Sequence, residues 1–409
     1  MDRILTTHVG SLARPPELLA FLVAKERGRN IEEIAYAETL TRAVSEIVER
    51  QIDVGIDVID DGELGKVSWI TYLYERISGL ETRPVKVEGS ILPPSRDRQS
   101  FPGAYAALDA LDEVATRGSS SAAAGARAEE IAEAEPGTAL KWFCTGPVTY
   151  DRRPVERDIA NLKAALAGHE GVEAFLPVVA PASTYWLEND FFASDEEFMF
   201  ALADALHEEY AAIVEAGFLV QVDDAVIAHE LDTMLSQGKS YEDYRKWARV
   251  RVDALNHALR GLPEDRVRYH ICFGSWHGPH AFDPALRDEL GVLDDVRVVG
   301  HDTGDQLLAL RQLDVLPHPP LVLVARVGVL DRVVAGVHLQ HEIDDVAQRL
   351  VRLAGLLGRE NVIGGTDCGF AQGAFITRVH PEIQWAKLTA LVEGARLATR
   401  ELWGAKAAV

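Results

Sequence analysis

Arg268-Tyr269-His270-Ile271-Cys272-Phe273 alternates in character, with Tyr269, Ile271 and Phe273 on one face of a strand and His270 and Cys272 on the other. A histidine and a cysteine two apart on a strand point the same way, and imidazole and thiolate are the preferred ligands of zinc. A second stretch, Ile363-Gly364-Gly365-Thr366-Asp367-Cys368-Gly369, begins apolar and runs into glycines. A strand takes that form where it hands a residue to a loop. Together the two strand ends supply three donors, His270, Cys272 and Cys368, and leave a fourth position open, as catalytic zinc sites do. The plain alternative is a histidine and two cysteines that are simply buried.

Outward from these stretches, short apolar runs alternate with helical patterns. Arg3 to Val9 reads as a strand ending at Gly10-Ser11, with a turn at Arg14-Pro15-Pro16. Residues 31 to 54 repeat Leu40, Val44, Ile47 and Val48 at helical spacing, and Gly55 is a natural cap. A strand from Asp57 runs into Asp60-Asp61-Gly62-Glu63. Such an acidic exit is ordinarily a solvated loop, but acids just after an apolar strand in an α/β chain are the exception carried forward here. Further strands are expected at 139–144, 171–180, 218–222, 296–300 and 333–337, and helices at about 241–260 and 382–402. Ser194 and Glu197 read as a capping box, opening a helix with Phe198, Leu202, Leu206 and Ile213 on one stripe and Gly217 at its close. Polar residues gather where strands end: Ser11, Glu63, Asp223, His270 with Cys272, and Cys368. A (β/α)8 TIM barrel brings such ends around one mouth, whereas the rival doubly wound sheet does not. The expectation is one barrel domain over residues 1–409. Residues 80–136, which include the low-complexity run Gly118 to Gly125, form an inserted segment.

Composition sets outer limits. The chain has 409 residues, 47% of them hydrophobic, enough for a large core. A net charge of −23 argues against nucleic-acid and anionic membrane partners, and leaves homo-oligomer formation open. Three cysteines make no disulfide framework, and no long apolar run or leader pattern is present, so a cytoplasmic setting is expected.

Six motifs occur together and in order: Thr6-Thr7-His8-Val9-Gly10-Ser11, Asp61-Gly62-Glu63, Thr145-Gly146-Pro147-Val148-Thr149, Gln221-Val222-Asp223, His270-x-Cys272 and Asp367-Cys368-Gly369. The set resembles the catalytic C-terminal barrel of cobalamin-independent methionine synthase, and more closely the stand-alone bacterial proteins that carry only that barrel. The resemblance runs from residue 3 to about 402 and is weakest over 80–136. It implies a Zn2+ cofactor held by His270, Cys272 and Cys368. It also implies a small-molecule thiol and an alkyl donor as partners. In the methionine synthases the residues matching Ser11, Glu63 and Asp223 hold the amino acid end of homocysteine. A catalytic histidine of that family falls in the region of His338 and His341. His277 and His280, in the loop after the His270 strand, stand where they would bind substrate or supply protons; Asp223 is a candidate for both binding and catalysis.

Two departures from the family bear on the donor. The family's fourth ligand, a glutamate, ends the strand after the His-x-Cys strand, and here Val299 stands at about that place. The folate-stacking tryptophan that follows the Thr-Gly-Pro-Val-Thr motif is absent, replaced by Tyr150-Asp151-Arg152. Three readings follow: a zinc-dependent transferase moving a methyl or other alkyl group at a thiol; a carbon–sulfur or carbon–carbon lyase on the same barrel; or a non-catalytic small-molecule binder with an altered metal site.

Overall fold

The computed structural model describes residues 2–26, 29–86, 94–107, 138–184, 187–272, 281–282, 324–325, 339–374 and 379–404. The strands among them are β1 (Leu5–Thr6), β2 (Val58–Ile59), β3 (Leu80–Lys86), β4 (Thr138–Cys144), β5 (Glu173–Val179), β6 (Leu187–Asn189), β7 (Leu219–Asp224), β8 (Val267–Ile271), β9 (Val324–Ala325) and β10 (Ile363–Gly364).

Two parallel ladders carry the fold. One has the order β1-β10-β9 and the other β2-β5-β7-β8. A parallel bridge between Thr7 and Val58 joins them, so β1 lies between β10 and β2. The result is a mixed α/β fold in which neighbouring strands of the two ladders run parallel and helices connect them along the chain. Parallel strands are buried on both faces, and β5 is accordingly apolar throughout, every residue after Glu173 being buried.

The helices form for reasons visible in their sequences. Helix Glu33–Val54 buries Tyr36, Leu40, Val44, Ile47 and Val48 along one stripe. It ends at Gly55, whose φ of +93° lets its N–H reach the carbonyls of Gln51 and Ile52. Helix Asp195–Glu215 buries Phe198, Leu202, Leu206 and Ile213, and each such side chain contributes about 1.5–3 kcal/mol. Its cap is half the expected box. Ser194 Oγ accepts from the Glu197 N–H at 3.1 Å, but the Glu197 carboxylate takes the N–H of Ala193 rather than that of Ser194. The reciprocal box lies instead at Ser240 and Asp243, opening helix Tyr241–Ala258. Helices Leu339–Leu357 and Pro381–Trp403 pack together closely at Gly394, where a Cβ would fall on Val346.

One strand expectation changes. The 139–144 strand lies outside the parallel ladders: β4 pairs antiparallel with β3 and parallel with β6 in a separate three-stranded sheet. The apolar run alone gave no sign of which sheet would receive it. The 296–300 and 333–337 runs lie outside the described residues, and β9 at Val324–Ala325 occupies the place beside β10. The segment Lys66–Gly79, which leads into the small sheet, is fastened by Arg76. Its guanidinium lies 2.5 Å from Asp158 and 3.0 Å from Glu209, all three buried.

Candidate functional site

The parallel ladders place the exits of β1, β2, β7, β8 and β10 on one edge. Register decides what faces what. Gln221 and Asp223 on β7 are the partners of Arg268 and His270 on β8, so all four side chains share one face. Asp223 Oδ1 lies 3.0 Å from His270 Nδ1 and accepts from Gln221 Nε2 at 2.8 Å. Gln221 Oε1 accepts in turn from Arg268 Nε at 2.7 Å. Arg268 also donates to Thr7 Oγ1 at 3.0 Å and the His8 carbonyl at 2.7 Å, and stands over the Phe175 ring. This buried chain of groups runs from β1 to His270. Burial pushes the Arg268 pKa down to about 10. Burial also works against protonation of His270, but the hydrogen bond and charge of Asp223 outweigh it and raise the pKa to about 9.

His270 Nε2 stands 3.3 Å from the carbonyl of Asp367, one residue before Cys368. Cys272 leaves the end of β8 with its N–H on the Asp224 carbonyl at 3.1 Å. The Cys272 and Cys368 sulfurs are 3.2 Å apart, in hydrogen-bond contact without a disulfide, and half-buried. Residues from β8 and β10 thus meet at one point, with the imidazole beside them. The third cysteine, Cys144, is buried in the small sheet with its Sγ near the Gly146 carbonyl. Among the described residues, no group of three or more His, Cys, Asp and Glu side chains is arranged to hold a metal ion.

The β2 exit is the exception among acidic loops and not the usual solvated one. Asp60, Asp61 and Glu63 are all buried, and burial raises their pKa values: Asp61 to about 6, Glu63 to about 7 and Asp60 well above the usual range. Backbone N–H groups of Gly62 and Glu63 satisfy one oxygen each on Asp60 and Asp61. Glu63 has φ +53°, the one non-glycine at positive φ among the described residues. A left-handed conformation costs about 1–2 kcal/mol outside glycine. Its Oε2 is buried with no hydrogen-bond partner among the described residues, while Asp223 and Lys66 act on its charge with opposite signs. Strain and an unanswered buried carboxylate oxygen in one residue are features that packing alone does not account for.

Ser11 packs against the Cys368 loop. Its carbonyl accepts from the Phe370 N–H at 2.8 Å and its hydroxyl from the Ala371 N–H at 3.4 Å. A Cβ on Gly369 would fall on Ser11 Oγ, so any larger residue here would force that hydroxyl or the loop to shift. The structure therefore gathers Ser11 with Cys368, Asp223 with His270, and Cys272 with Cys368. His277, His280 and His338 lie outside the described residues, as do Val299 and its strand. His341 belongs to helix Leu339–Leu357, but its side chain is not among those described.

Four residues of the site escaped sequence reasoning. Gln221 and Arg268 were detectable, since they share the period-two face of Asp223 and His270. Lys66, whose Nζ donates to the Pro177 carbonyl at 2.5 Å and lies 4.2 Å from the Tyr72 ring centroid, and Arg14 had no local signal. The N–H groups that open the helix after β7 are met by Asp224 and not by Asp223: Asp224 Oδ1 accepts from the Val226 and Ile227 N–H groups at 3.3 Å, while its Oδ2 takes the Tyr269 hydroxyl at 2.8 Å.

Among proteins of known function, the methionine synthase of Saccharolobus solfataricus is 22% identical over 404 residues, which cover 97% of this chain and 95% of that protein. Along nearly its whole length the chain is thus similar to a protein named methionine synthase. The 5-methyltetrahydropteroyltriglutamate–homocysteine methyltransferase of a Thermotoga species is also 22% identical, over 66% of this chain but only 30% of its own length. Two solved structures share the fold. A B12-independent methionine synthase from Shewanella in complex with selenomethionine has a TM-score of 0.60 at 17% identity, covering 98% of this chain and 99% of that one. A Listeria monocytogenes protein described as a vitamin-B12-independent methionine synthase has a TM-score of 0.56 at 18% identity, covering 96% and 98%. No family model matches the chain. The Saccharolobus protein and the two solved structures bear the likeness along nearly the whole chain. No helix among the described residues is long and apolar enough to cross a membrane.

Proposed function

We propose that the chain is a zinc-dependent methyltransferase that methylates the thiol of an amino thiol, homocysteine being the best fit. The observation that carries this reading is the 3.2 Å approach of Cys272 and Cys368, delivered from two separate strand exits beside His270. Two thiols and an imidazole are a donor set suited to zinc and leave room for a substrate thiol. His270 is prepared for that role, because a ligating histidine commonly engages a carboxylate through its other ring nitrogen, as Nδ1 does with Asp223. When bound, the ion would lower the pKa of the substrate thiol and keep its sulfur nucleophilic at neutral pH.

The protein's own residues do the rest. Glu63, with its buried unpartnered oxygen, takes the ammonium end of the substrate, aided by the charge of Asp223. Ser11 fixes the Cys368 loop and offers its hydroxyl to the substrate carboxylate. Asp223 holds His270 in one orientation. His277, His280, His338 and His341 remain candidates for substrate binding and proton transfer, and soluble cytoplasmic operation is part of the same reading.

The scaffold is proposed to be a single (β/α)8 barrel with an insertion at about 80–136. Strands β8 and β9 end the joined parallel ladders, and one further strand, from 296–300, would close them. Tested directly, purified protein should bind about one zinc and transfer a methyl group to homocysteine. Protein that takes up zinc equally well as Cys272→Ser would sink the proposal.

A further inference from the structure

Three strand exits meet around Arg14. Its Nη1 donates to the Ala371 carbonyl at 2.5 Å, three residues after Cys368. Its Nη2 donates to the carbonyls of Glu63 at 3.1 Å and Lys66 at 2.9 Å. One buried guanidinium thus grips both the loop that carries Cys368 and the turn that carries Glu63. The neighbouring backbone is zipped in the same sense. The Trp69 N–H donates to the Gln372 carbonyl at 3.1 Å, the Ala374 N–H to Val67 at 2.8 Å, and Ser68 bridges Gly373. The Phe370 N–H donates to Ser11 at 2.8 Å and the Leu12 N–H to Gly62 at 3.0 Å.

Burial disfavours this charge, and Glu63 and Asp61 offset it only through space. Arg14 Nε is buried with no partner among the described residues. Leaving a buried donor unmet is costly, so arginine is a poor choice here if only packing were needed. Its fork geometry is what a lysine cannot copy: two nitrogens aimed at carbonyls of two loops.

Resting on the amino-thiol reading above, we infer that Arg14 is a positioning residue that fixes the span between Cys368 and Glu63 and so sets the length of amino thiol the site accepts. A substrate must reach with its sulfur toward Cys368 and with its ammonium to Glu63. A rigid span rewards one chain length; a loose one rewards none.

Arg14→Lys and Arg14→Gln, each compared with wild type, test this by two routes. Backbone hydrogen exchange at Trp69, Phe370 and Ala374 should accelerate in both variants, while amides of helix Asp195–Glu215 keep their rates. Calorimetric binding to zinc-loaded protein should show wild type preferring homocysteine over cysteine, a one-methylene discrimination of roughly 10- to 200-fold. In the variants that ratio should shrink by about tenfold, on the scale of small misplacements in a site. Unchanged exchange at the three amides, uniform acceleration everywhere, or a retained thiol preference in both variants each overturns the inference. A wild type that binds neither thiol overturns the underlying reading instead, and is recognisable as such because the variants then have no preference to lose.

Discussion

Asp223 and His270 are register partners on adjacent parallel strands, and the carboxylate oxygen lies 3.0 Å from the ring Nδ1. The contact is therefore set by the β-ladder and not by a loop. With Nδ1 engaged, Nε2 is the nitrogen turned toward the Asp367–Cys368 loop. Asp223→Asn keeps the shape and removes the charge. Zinc affinity is expected to fall roughly 10- to 100-fold, the usual cost of losing such a partner. Competition with a chromophoric chelator measures it; unchanged affinity would remove Asp223 from the site.

The three cysteines should separate cleanly. Cys272→Ser and Cys368→Ser are expected to lose zinc. Cys144→Ser, a change in the separate β3-β4-β6 sheet, should retain it. Zinc per chain by atomic emission decides the matter, and equal metal content in all three variants would refute the assignment.

Glu63 predicts a pH dependence of stability. Its pKa is about 7 in the fold against an ordinary 4.5. A carboxyl with a raised folded value holds its proton more tightly in the native state. Its contribution is complete below about pH 4.5 and is lost as pH rises through 7, amounting to about 3 kcal/mol over that window. Denaturant melts of wild type and Glu63→Gln should therefore diverge, with wild type losing stability relative to the variant between pH 5 and 8. Homocysteine affinity of wild type should rise across the same window as Glu63 ionises, and Glu63→Gln should bind it weakly while keeping its zinc.

Gly369→Ala tests how closely the Cys368 loop must approach β1. The added methyl meets Ser11 Oγ, so that hydroxyl or the loop must shift. A loss of about 1–3 kcal/mol is expected from overpacking, together with weaker zinc binding. Gly369→Ala combined with Ser11→Gly should recover part of both, and thermal melts with metal titration give the comparison.

The fourth ligand position bears on the methyl donor. Two thiolates and one neutral imidazole give Zn2+ no net charge, and Val299 adds none. A thiolate held there is less electron-rich, and no tryptophan follows the Thr145-to-Thr149 motif to stack on a folate. Homocysteine methylation from methyltetrahydrofolate is expected to run well below the usual enzyme rate of about 10 per second, with faster turnover from a more activated methyl donor. A steady-state assay with both donors settles it.

Much of the framework was legible because apolar runs and caps are local. The Glu33–Val54 helix, its Gly55 cap and the β7 and β8 strands follow from spacing alone. The proximity of Cys272 to Cys368 was legible only through the expectation that strand ends converge. What escaped was non-local. The place of Glu63 at a strand exit was legible, but the backbone N–H groups, Lys66 and Arg14 that surround the Asp60-to-Glu63 run were not. The fate of Ala139–Cys144 depended on a partner strand, β3, whose pairing no periodicity announces.

The Arg14–Ala371 hydrogen bond spans 357 residues of chain, and Ile4 reaches Thr399 across 395. At translation rates of about 5–20 residues per second, the first strand waits on the order of 20–70 s for its neighbour to emerge. Until then β1 has an open edge and Cys272 has no Cys368. The meeting of Cys272 with Cys368 and the protection of the β1 edge therefore come only after Ile363 and the loop behind it have emerged, and a nascent chain stalled short of Ile363 would present an unsealed strand to chaperones.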